Sequence, residues 1–243
     1  IQDMHSVEGA LELEMFIAMD SPKHDQQRKA VTPAVAPSNL QLLEPIIRKR
    51  AGEILDELPP GEDFDWVDKV AIELTTMTLA TVFDFPWEER RKLTRWSDVA
   101  TASEDSGIIE SEEARRADIL ECGDYCIGLW NERVNAKEPG NDLISMLAHG
   151  ESTRNMDKME YLGNLILLIV GGNDTTRNSI SGGLLALNQF PDQYRKLQAN
   201  PSVIPNMVAE IIRWQTPLAY TPLSYTHLTL PTTSPASILV LAA

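Results

Sequence analysis

The chain is poor in cysteine, in basic residues and in long apolar runs. Its 243 residues include 2 cysteines and 21 Lys and Arg against 36 Asp and Glu, for a formal net charge of -15. A phosphate-binding surface needs clustered Lys and Arg, so this charge excludes nucleic acid as a partner and disfavours docking on anionic lipid. The apolar runs are far shorter than the ~20 residues that cross a bilayer. We therefore expect no nucleic-acid partner and no transmembrane segment.

The two cysteines, Cys122 and Cys126, lie four residues apart in a segment with helical character. A zinc site would need more ligands, and no histidine lies near them in sequence. The pair is typical of reduced, partly buried thiols in a cytosolic protein, so the expected location is the cytoplasm.

What is present in quantity is helix-forming sequence, and the predicted fold class is all-α. Hydrophobic residues make up 43% and charged residues 23% of the chain, as in ordinary globular proteins. Ser21 and Pro22 are suited to the N-cap and first position of the first helix. No strand is predicted before residue 217. The apolar periodicity and the Pro and Gly breaks predict helices at about 22–30, 45–58, 67–85, 87–100, 111–136, 143–148, 156–190, 193–199 and 205–215.

The most informative stretch is Gly171-Gly172-Asn173-Asp174-Thr175-Thr176, inside the long helix predicted from Met156 to Phe190. Each glycine costs a helix interior on the order of 1 kcal/mol relative to alanine. Gly171 and Thr175 share a helix face, which gives a bare backbone window beside a hydroxyl and a carboxylate. That window suits a planar cofactor or a small gas molecule. The alternative is close helix packing at the glycines, with the Thr175 hydroxyl bonded to the carbonyl four residues earlier.

Two further pairs have helical spacing. His24 and Arg28 form a cationic stripe on the first helix, suited either to an anionic group or simply to solvent. Glu210 and Arg213 form an i,i+3 pair that by itself is worth only a few tenths of a kcal/mol.

The segment from Thr221 to Ala243 differs from the rest because it contains no Asp, Glu, Lys or Arg. It is either an edge-strand region or a non-native tail, and we favour the tail. The expected division is a domain over 1–220 followed by a non-matching segment over 221–243.

Three motifs, in this order and spacing, resemble the cytochrome P450 superfamily of haem-thiolate monooxygenases. They are DSPKHDQQR from Asp20 to Arg28, LLIVGGNDTTR from Leu167 to Arg177, and EIIRWQTP from Glu210 to Pro217. The surrounding sequence, over about 15–220, is similar to the bacterial soluble alkane terminal hydroxylases. The resemblance implies the helical part of the cytochrome P450 fold and haem, iron protoporphyrin IX, as cofactor.

The resemblance also implies a role for each candidate residue. Gly171 and Gly172 would lie beside the haem where dioxygen binds, and Asp174 and Thr175 would be the acid and the alcohol that deliver protons there. The remaining implied roles are haem-propionate contacts for His24 and Arg28, substrate contacts for Leu167, Val170 and Leu218, and a buried structural pair for Glu210 and Arg213.

The implied reaction is terminal hydroxylation of a small aliphatic substrate, a medium-chain alkane or fatty acid. It would use O2 and two electrons from a ferredoxin and its NAD(P)H-dependent reductase. Another aliphatic substrate, such as a terpene or a sterol side chain, is an alternative. A non-catalytic helical binding module is the alternative from another class.

The sequence departs from the family at its cysteine. The family's iron-ligating cysteine follows the Glu–Arg helix in a Gly-rich loop, whereas Cys122 and Cys126 precede the long helix. The family's arginine after the Pro217 segment is replaced by Thr221, Pro222 and Leu223. We therefore expect the haem-ligand loop and the iron ligand to be missing, and the chain as given to be inactive.

Overall fold

The computed structural model describes residues 13–102, 104–138 and 140–218. Within these ranges the chain forms helices joined by turns and contains no strand, so the all-α prediction is confirmed. A six-residue π-helical segment, Val67–Ile72, leads into α3. The α-helices are α1 Lys23–Val31, α2 Pro37–Asp56, α3 Glu73–Phe83, α4 Arg91–Thr101, α5 Glu112–Val134, α6 Leu143–His149, α7 Lys158–Gln189, α8 Pro191–Ala199 and α9 Ile204–Gln215.

Helix α7 crosses the core, as its length and apolar centre predict. It runs for 32 residues and is capped by the preceding Asp157, whose carboxylate accepts hydrogen bonds from the amides of Met159 and Glu160 at 2.8 and 2.9 Å. Such a cap satisfies two of the donors that a helix start leaves free. Leu162 and Leu165 on α7 are fully buried. Helices α3, α4, α5 and α9 pack around it, so a residue on α7 can face several elements at once.

The first two helices begin at other residues than those predicted. Ser21 does not cap α1; its hydroxyl donates instead to the Asp25 carboxylate at 2.6 Å, and α1 begins at Lys23. The second helix begins at Pro37, well before Pro45. A proline is tolerated at the first helical position, and Pro45 lies on the exposed side of α2, where water can solvate the carbonyl that loses its partner.

The two cysteines are more deeply buried than expected. Cys122 and Cys126 on α5 are free thiols with 0% and 1% of their surface exposed, in the same apolar cluster as Tyr161 and Leu162 of α7. A hydrogen bond with Cys126, together with burial, holds the pKa of the Cys122 thiol well above its usual range. This thiol is therefore a structural core group and stays protonated.

Two sequence predictions concern membranes and the last segment of the chain. Among the described residues, no helix combines the length and apolar character needed to cross a membrane. The segment 221–243 lies outside the described residues, so the division at residue 220 stays a prediction.

Candidate active site at the centre of the long helix

The two central glycines of α7 face different surroundings. A Cβ atom added to Gly172 would lie 2.6 Å from Cδ2 of the buried Leu79, so α3 packs closely on the helix there. A Cβ atom added to Gly171 would have no atom within 4 Å, and Gly171 is exposed. Both interpretations of the glycine pair therefore apply, one to each residue. Close packing explains Gly172, whereas Gly171 leaves an open window on the helix.

Thr175 lies on the same face of α7 as this window. Its hydroxyl donates to the carbonyl oxygen of Gly171 at 2.9 Å, and its side chain is half-buried. The predicted back-bond to the carbonyl four residues earlier is thus confirmed. The hydroxyl oxygen keeps free lone pairs, so it can still accept a hydrogen bond from a group that lies on the window.

Asp174 lies at the edge of the window that adjoins α4. One carboxylate oxygen is 2.7 Å from the guanidinium of Arg177, and the other accepts a hydrogen bond from Thr101 of α4 at 3.1 Å. Arg177 in turn lies 2.6 Å from a carboxylate oxygen of Asp98, also on α4. The carboxyl group of Asp174 is therefore held against α4, and no hydrogen bond joins it to Thr175.

The surroundings of Asp174 favour its protonated form. Burial raises the pKa of Asp174 above the usual range of an aspartate, although Arg177 and the Thr101 hydroxyl act in the opposite direction. Its side chain is only 19% exposed. A carboxyl group whose pKa is raised by burial is suited to hold and release a proton.

Helix α1 is anchored on the same face of α7, closer to the start of that helix. Asn164 precedes Gly171 by about two turns and Thr175 by about three, so the three residues share one face. Asn164 is fully buried and donates to the side-chain carbonyl of Gln27 at 3.0 Å. Gln27 donates to the Glu160 carboxylate at 2.5 Å, which also pairs with Lys23 at 2.7 Å.

This anchor positions the predicted cationic stripe. His24 lies one turn before Gln27 and so is close to the face of α1 that adjoins α7, whereas Arg28 directly follows Gln27 and points about 100° away from it. His24 is half-buried and Nδ1 lies 2.8 Å from the Asp25 carboxylate, whereas Arg28 is exposed. Along the axis of α7, Gly171 lies about 10 Å beyond Asn164. A role for the stripe at a cofactor on the window stays a prediction.

The predicted substrate residues differ in exposure. Leu167 and Val170 are half-buried against the core cluster beside the window, whereas Leu218, after α9, is 61% exposed. Their role in substrate binding stays a prediction.

The predicted brace between Glu210 and Arg213 forms, but it is not buried. The two side chains make a bidentate pair at 2.6 and 2.7 Å and are 59% and 65% exposed. In the described residues both side chains lie on a solvated face of α9, while Ile211 packs on Gly183 of α7, so burial of the pair in the complete enzyme stays a prediction. An exposed pair of this kind adds little to stability.

Sequence reasoning missed the residues that hold the site together. Asp98, Thr101 and Arg177 orient Asp174, and Gln27 and Asn164 position α1. Asn164 offered a usable indication, since it is a lone amide inside the apolar stretch Leu162–Val170. Asp98 and Thr101 gave no such indication in the sequence. Their partners are far away along the chain, and polar residues are common on an amphipathic helix.

Comparison with known proteins identifies the family. No family model matches the chain. The chain is 32% identical over 206 residues to linalool 8-monooxygenase of Pseudomonas putida, and 31% identical over 220 residues to steroid C26-monooxygenase of Mycolicibacterium smegmatis. These matches cover 84% and 90% of this chain and 50% of each relative, so the chain spans about half the length of the curated relatives it matches.

Solved structures decide the question. CYP153D17 from Sphingomonas sp. PAMC 26605 is 53% identical with a TM-score of 0.77, over 86% of this chain and 52% of that one. Cytochrome P450-153 from Novosphingobium aromaticivorans is 46% identical with a TM-score of 0.76, over 86% and 51%. The chain belongs to the cytochrome P450 superfamily. The resemblance drawn from the three sequence motifs is thereby confirmed.

Cytochromes P450 are haem-thiolate enzymes, and the described residues fit one side of a haem site. The fit rests on the open backbone at Gly171, which a side chain would fill, while the roles of His24 and Arg28 stay predictions. A sulfur ligand for the iron would not come from Cys122 or Cys126, because both lie inside the core. Haem is thus the expected cofactor of the complete enzyme.

Proposed function

We propose that the complete enzyme is a haem-dependent monooxygenase that hydroxylates an aliphatic carbon of a small substrate. The observation that carries the proposal is the open face of α7 at Gly171, with the Thr175 hydroxyl on it and the raised-pKa carboxyl of Asp174 at its edge. When bound, haem supplies the oxidising chemistry, with O2 and two electrons as co-reactants. A ferredoxin and its NAD(P)H-dependent reductase are the proposed electron source.

The chain's own residues bind the cofactor and manage protons. Gly171 lets the backbone lie against the cofactor, and the fixed Gly171 carbonyl orients the Thr175 hydroxyl through the 2.9 Å hydrogen bond. The raised pKa of the Asp174 carboxyl group suits it to take up and release a proton, and Thr175 can accept and pass on a proton at Oγ1. His24 and Arg28 are placed to meet anionic groups at the cofactor's edge.

The proposed substrate is a medium-chain alkane or fatty acid, hydroxylated at its terminal carbon. The support is the similarity of the motifs around Gly171 and Glu210 to bacterial alkane terminal hydroxylases, together with the apolar residues Leu167 and Val170 beside the window. The second candidate is a terpene or a sterol side chain, favoured by the names of the linalool and steroid relatives. Substrate-binding spectra with a chain-length series, linalool and a sterol distinguish the two.

The test of the function is electron coupling in the complete enzyme. Thr175→Ala removes the hydroxyl on the window, so we expect NAD(P)H oxidation to continue while the product formed per NAD(P)H falls at least tenfold. Asp174→Asn removes the proton donor, so we expect turnover to fall by about 10²-fold, the lower range for loss of an acid–base group. Both rates are read from NAD(P)H consumption and product yield in the same reaction.

Thr176→Ala is the matched control, because Thr176 is the adjacent hydroxyl and is exposed on another face of α7. It should leave coupling unchanged. A non-catalytic binding module instead predicts no substrate-dependent NAD(P)H oxidation in any variant. Equal coupling in wild type and Thr175→Ala would refute the proton role of Thr175.

A further inference from the structure

Helix α4 supplies a polar surface directly against Asp174. Asp98, Thr101 and Ser97 lie within about one turn of one another on α4, and α4 packs along α7. Thr101 donates to Asp174 and Asp98 binds Arg177, which also binds Asp174. Three side chains from two helices thus converge on one carboxyl group beside the window.

We propose that Arg177, Asp98 and Thr101 are positioning residues for Asp174, which hold its carboxyl group against α4 and determine how readily it gives up a proton. The part of this inference that concerns catalysis rests on the proposed function. The contacts that hold Asp174 depend only on how α4 packs against α7.

The guanidinium of Arg177 is shared between two carboxylates. Nη2 of Arg177 lies 2.6 Å from Asp98 and 2.7 Å from Asp174, so neither aspartate has the guanidinium nitrogen to itself. All three side chains are between 18% and 26% exposed, so water screens the cluster only partly. The charge of Asp98 opposes the ionisation of Asp174, and the charge of Arg177 favours it.

The hydrogen bond from Thr101 fixes the direction of the carboxyl group. Thr101 Oγ1 of α4 donates to one oxygen of Asp174, and Arg177 of α7 pairs with the other, so each oxygen has a partner on a different helix. The same hydroxyl lies 2.9 Å from the Ser97 carbonyl oxygen, so its single hydrogen is shared between that carbonyl and the Asp174 carboxylate. A change in the contact between α4 and α7 therefore changes the orientation of Asp174.

The charged groups that act on Asp174 come from two helices. Within the described part of the chain they are Arg177 of α7, which favours the ionised form, and Asp98 of α4, which favours the protonated form. The hydroxyls of Thr101 and Ser97, both of α4, favour the ionised form, and burial opposes it. The proposal therefore predicts opposite effects for the two charged neighbours.

The experiment is an infrared pH titration of the complete enzyme. The C=O stretch of protonated Asp174 is assigned as the band that Asp174→Asn removes. In Asp98→Asn, the competing negative charge is gone and Arg177 pairs with Asp174 alone. The midpoint of this band should therefore move to lower pH by about one pH unit, which is a tenfold loss of proton affinity. In Arg177→Gln the midpoint should move up by a similar amount, and Arg177→Lys should restore most of the wild-type value.

Arg195→Gln is the matched control, because Asp192 and Arg195 on α8 repeat the i,i+3 Asp–Arg spacing at an exposed site. It should leave the band in place. Shifts of the same sign in Asp98→Asn and Arg177→Gln, or no shift in either, would overturn the proposal. The titration reads Asp174 directly, so its failure is separate from a failure to hydroxylate, which the coupling assay reports.

Discussion

At the scale of single residues, glycines along α7 serve opposite purposes. A Cβ atom added to Gly163 would lie 2.2 Å from the carbonyl oxygen of Glu14, so the backbone of the N-terminal segment crosses the helix there. Gly171 has open space instead. Gly163 therefore contributes to folding, whereas Gly171 costs helix stability without a packing gain, as a functional glycine does.

Gly163→Ala should destabilise the protein. The atom in the way belongs to a backbone carbonyl and cannot rotate aside, so either the Glu14 segment or α7 has to shift. We expect a loss of about 1–3 kcal/mol in the free energy of unfolding. The measurement is urea denaturation followed by far-UV circular dichroism.

Gly171→Ala is the control for that experiment, since it adds the same methyl group to the same helix. With no atom to clash with, it should stabilise the protein by about 0.5–1 kcal/mol. Destabilisation by both substitutions to the same extent would contradict the distinction between the two glycines.

At the scale of elements, the contact between α1 and α7 depends on a buried polar network. Phe16 donates its amide hydrogen to the Asn164 side-chain carbonyl at 2.8 Å, and Asn164 and Glu160 both bind Gln27. Buried amides have to be paired in this way because each unpaired group costs about 1–3 kcal/mol. The network fixes α1, and with it His24 and Arg28, relative to the window.

Gln27→Ala should release α1 from α7. It leaves buried polar groups of Asn164 and Glu160 without this partner, so we expect a loss of about 1–3 kcal/mol and faster amide exchange in α1 than in α5. Hydrogen exchange measured by mass spectrometry resolves the two helices. Gln26→Ala, at the exposed neighbouring position, should change neither quantity. If amide exchange became faster by the same factor throughout the chain, the network would contribute only to global stability and would not hold α1 in particular.

The sequence predicts elements better than it predicts their contacts. Hydrophobic periodicity located α4 to α9 closely and identified α7 as the helix that crosses the core. It misplaced the start of α2, because a proline inside a helix is tolerated on the solvent side, as at Pro45. It also missed the π-helical segment before α3, because the apolar residues Val67, Val70, Ala71 and Leu74 have the i, i+3, i+4, i+7 spacing of an ordinary α-helix.

In the candidate site, too, local helix geometry could be predicted from the sequence, whereas contacts between helices could not. Gly171 and Thr175 share a face because helix geometry requires it, so their relation was predictable. The pairing of Asp174 with Arg177 was open to a spacing argument, but the part played by Asp98 depends on how α4 packs, which no local pattern encodes. The exposure of Glu210 and Arg213 likewise depends on what packs against α9.

At the scale of the whole molecule, the open window at Gly171 lies on a helix whose other side packs into a core that contains both cysteines. Thiolate ligation needs an accessible, deprotonated sulfur. Cys122 and Cys126 have 0% and 1% exposure, and the raised pKa of the Cys122 thiol, due to its hydrogen bond with Cys126 and to burial, opposes deprotonation. A sulfur that reached the window would have to leave the core, at the cost of a cavity.

The 243-residue chain, expressed and supplied with haem, should therefore give no thiolate-type Soret band in a reduced carbon monoxide difference spectrum. A full-length cytochrome P450 treated identically provides the positive control. The double substitution Cys122→Ser with Cys126→Ser should leave the spectrum of the chain unchanged, because neither sulfur faces the cofactor. A thiolate-type band that disappears in the double variant would contradict this prediction, since it would require one of the core cysteines to bind the iron.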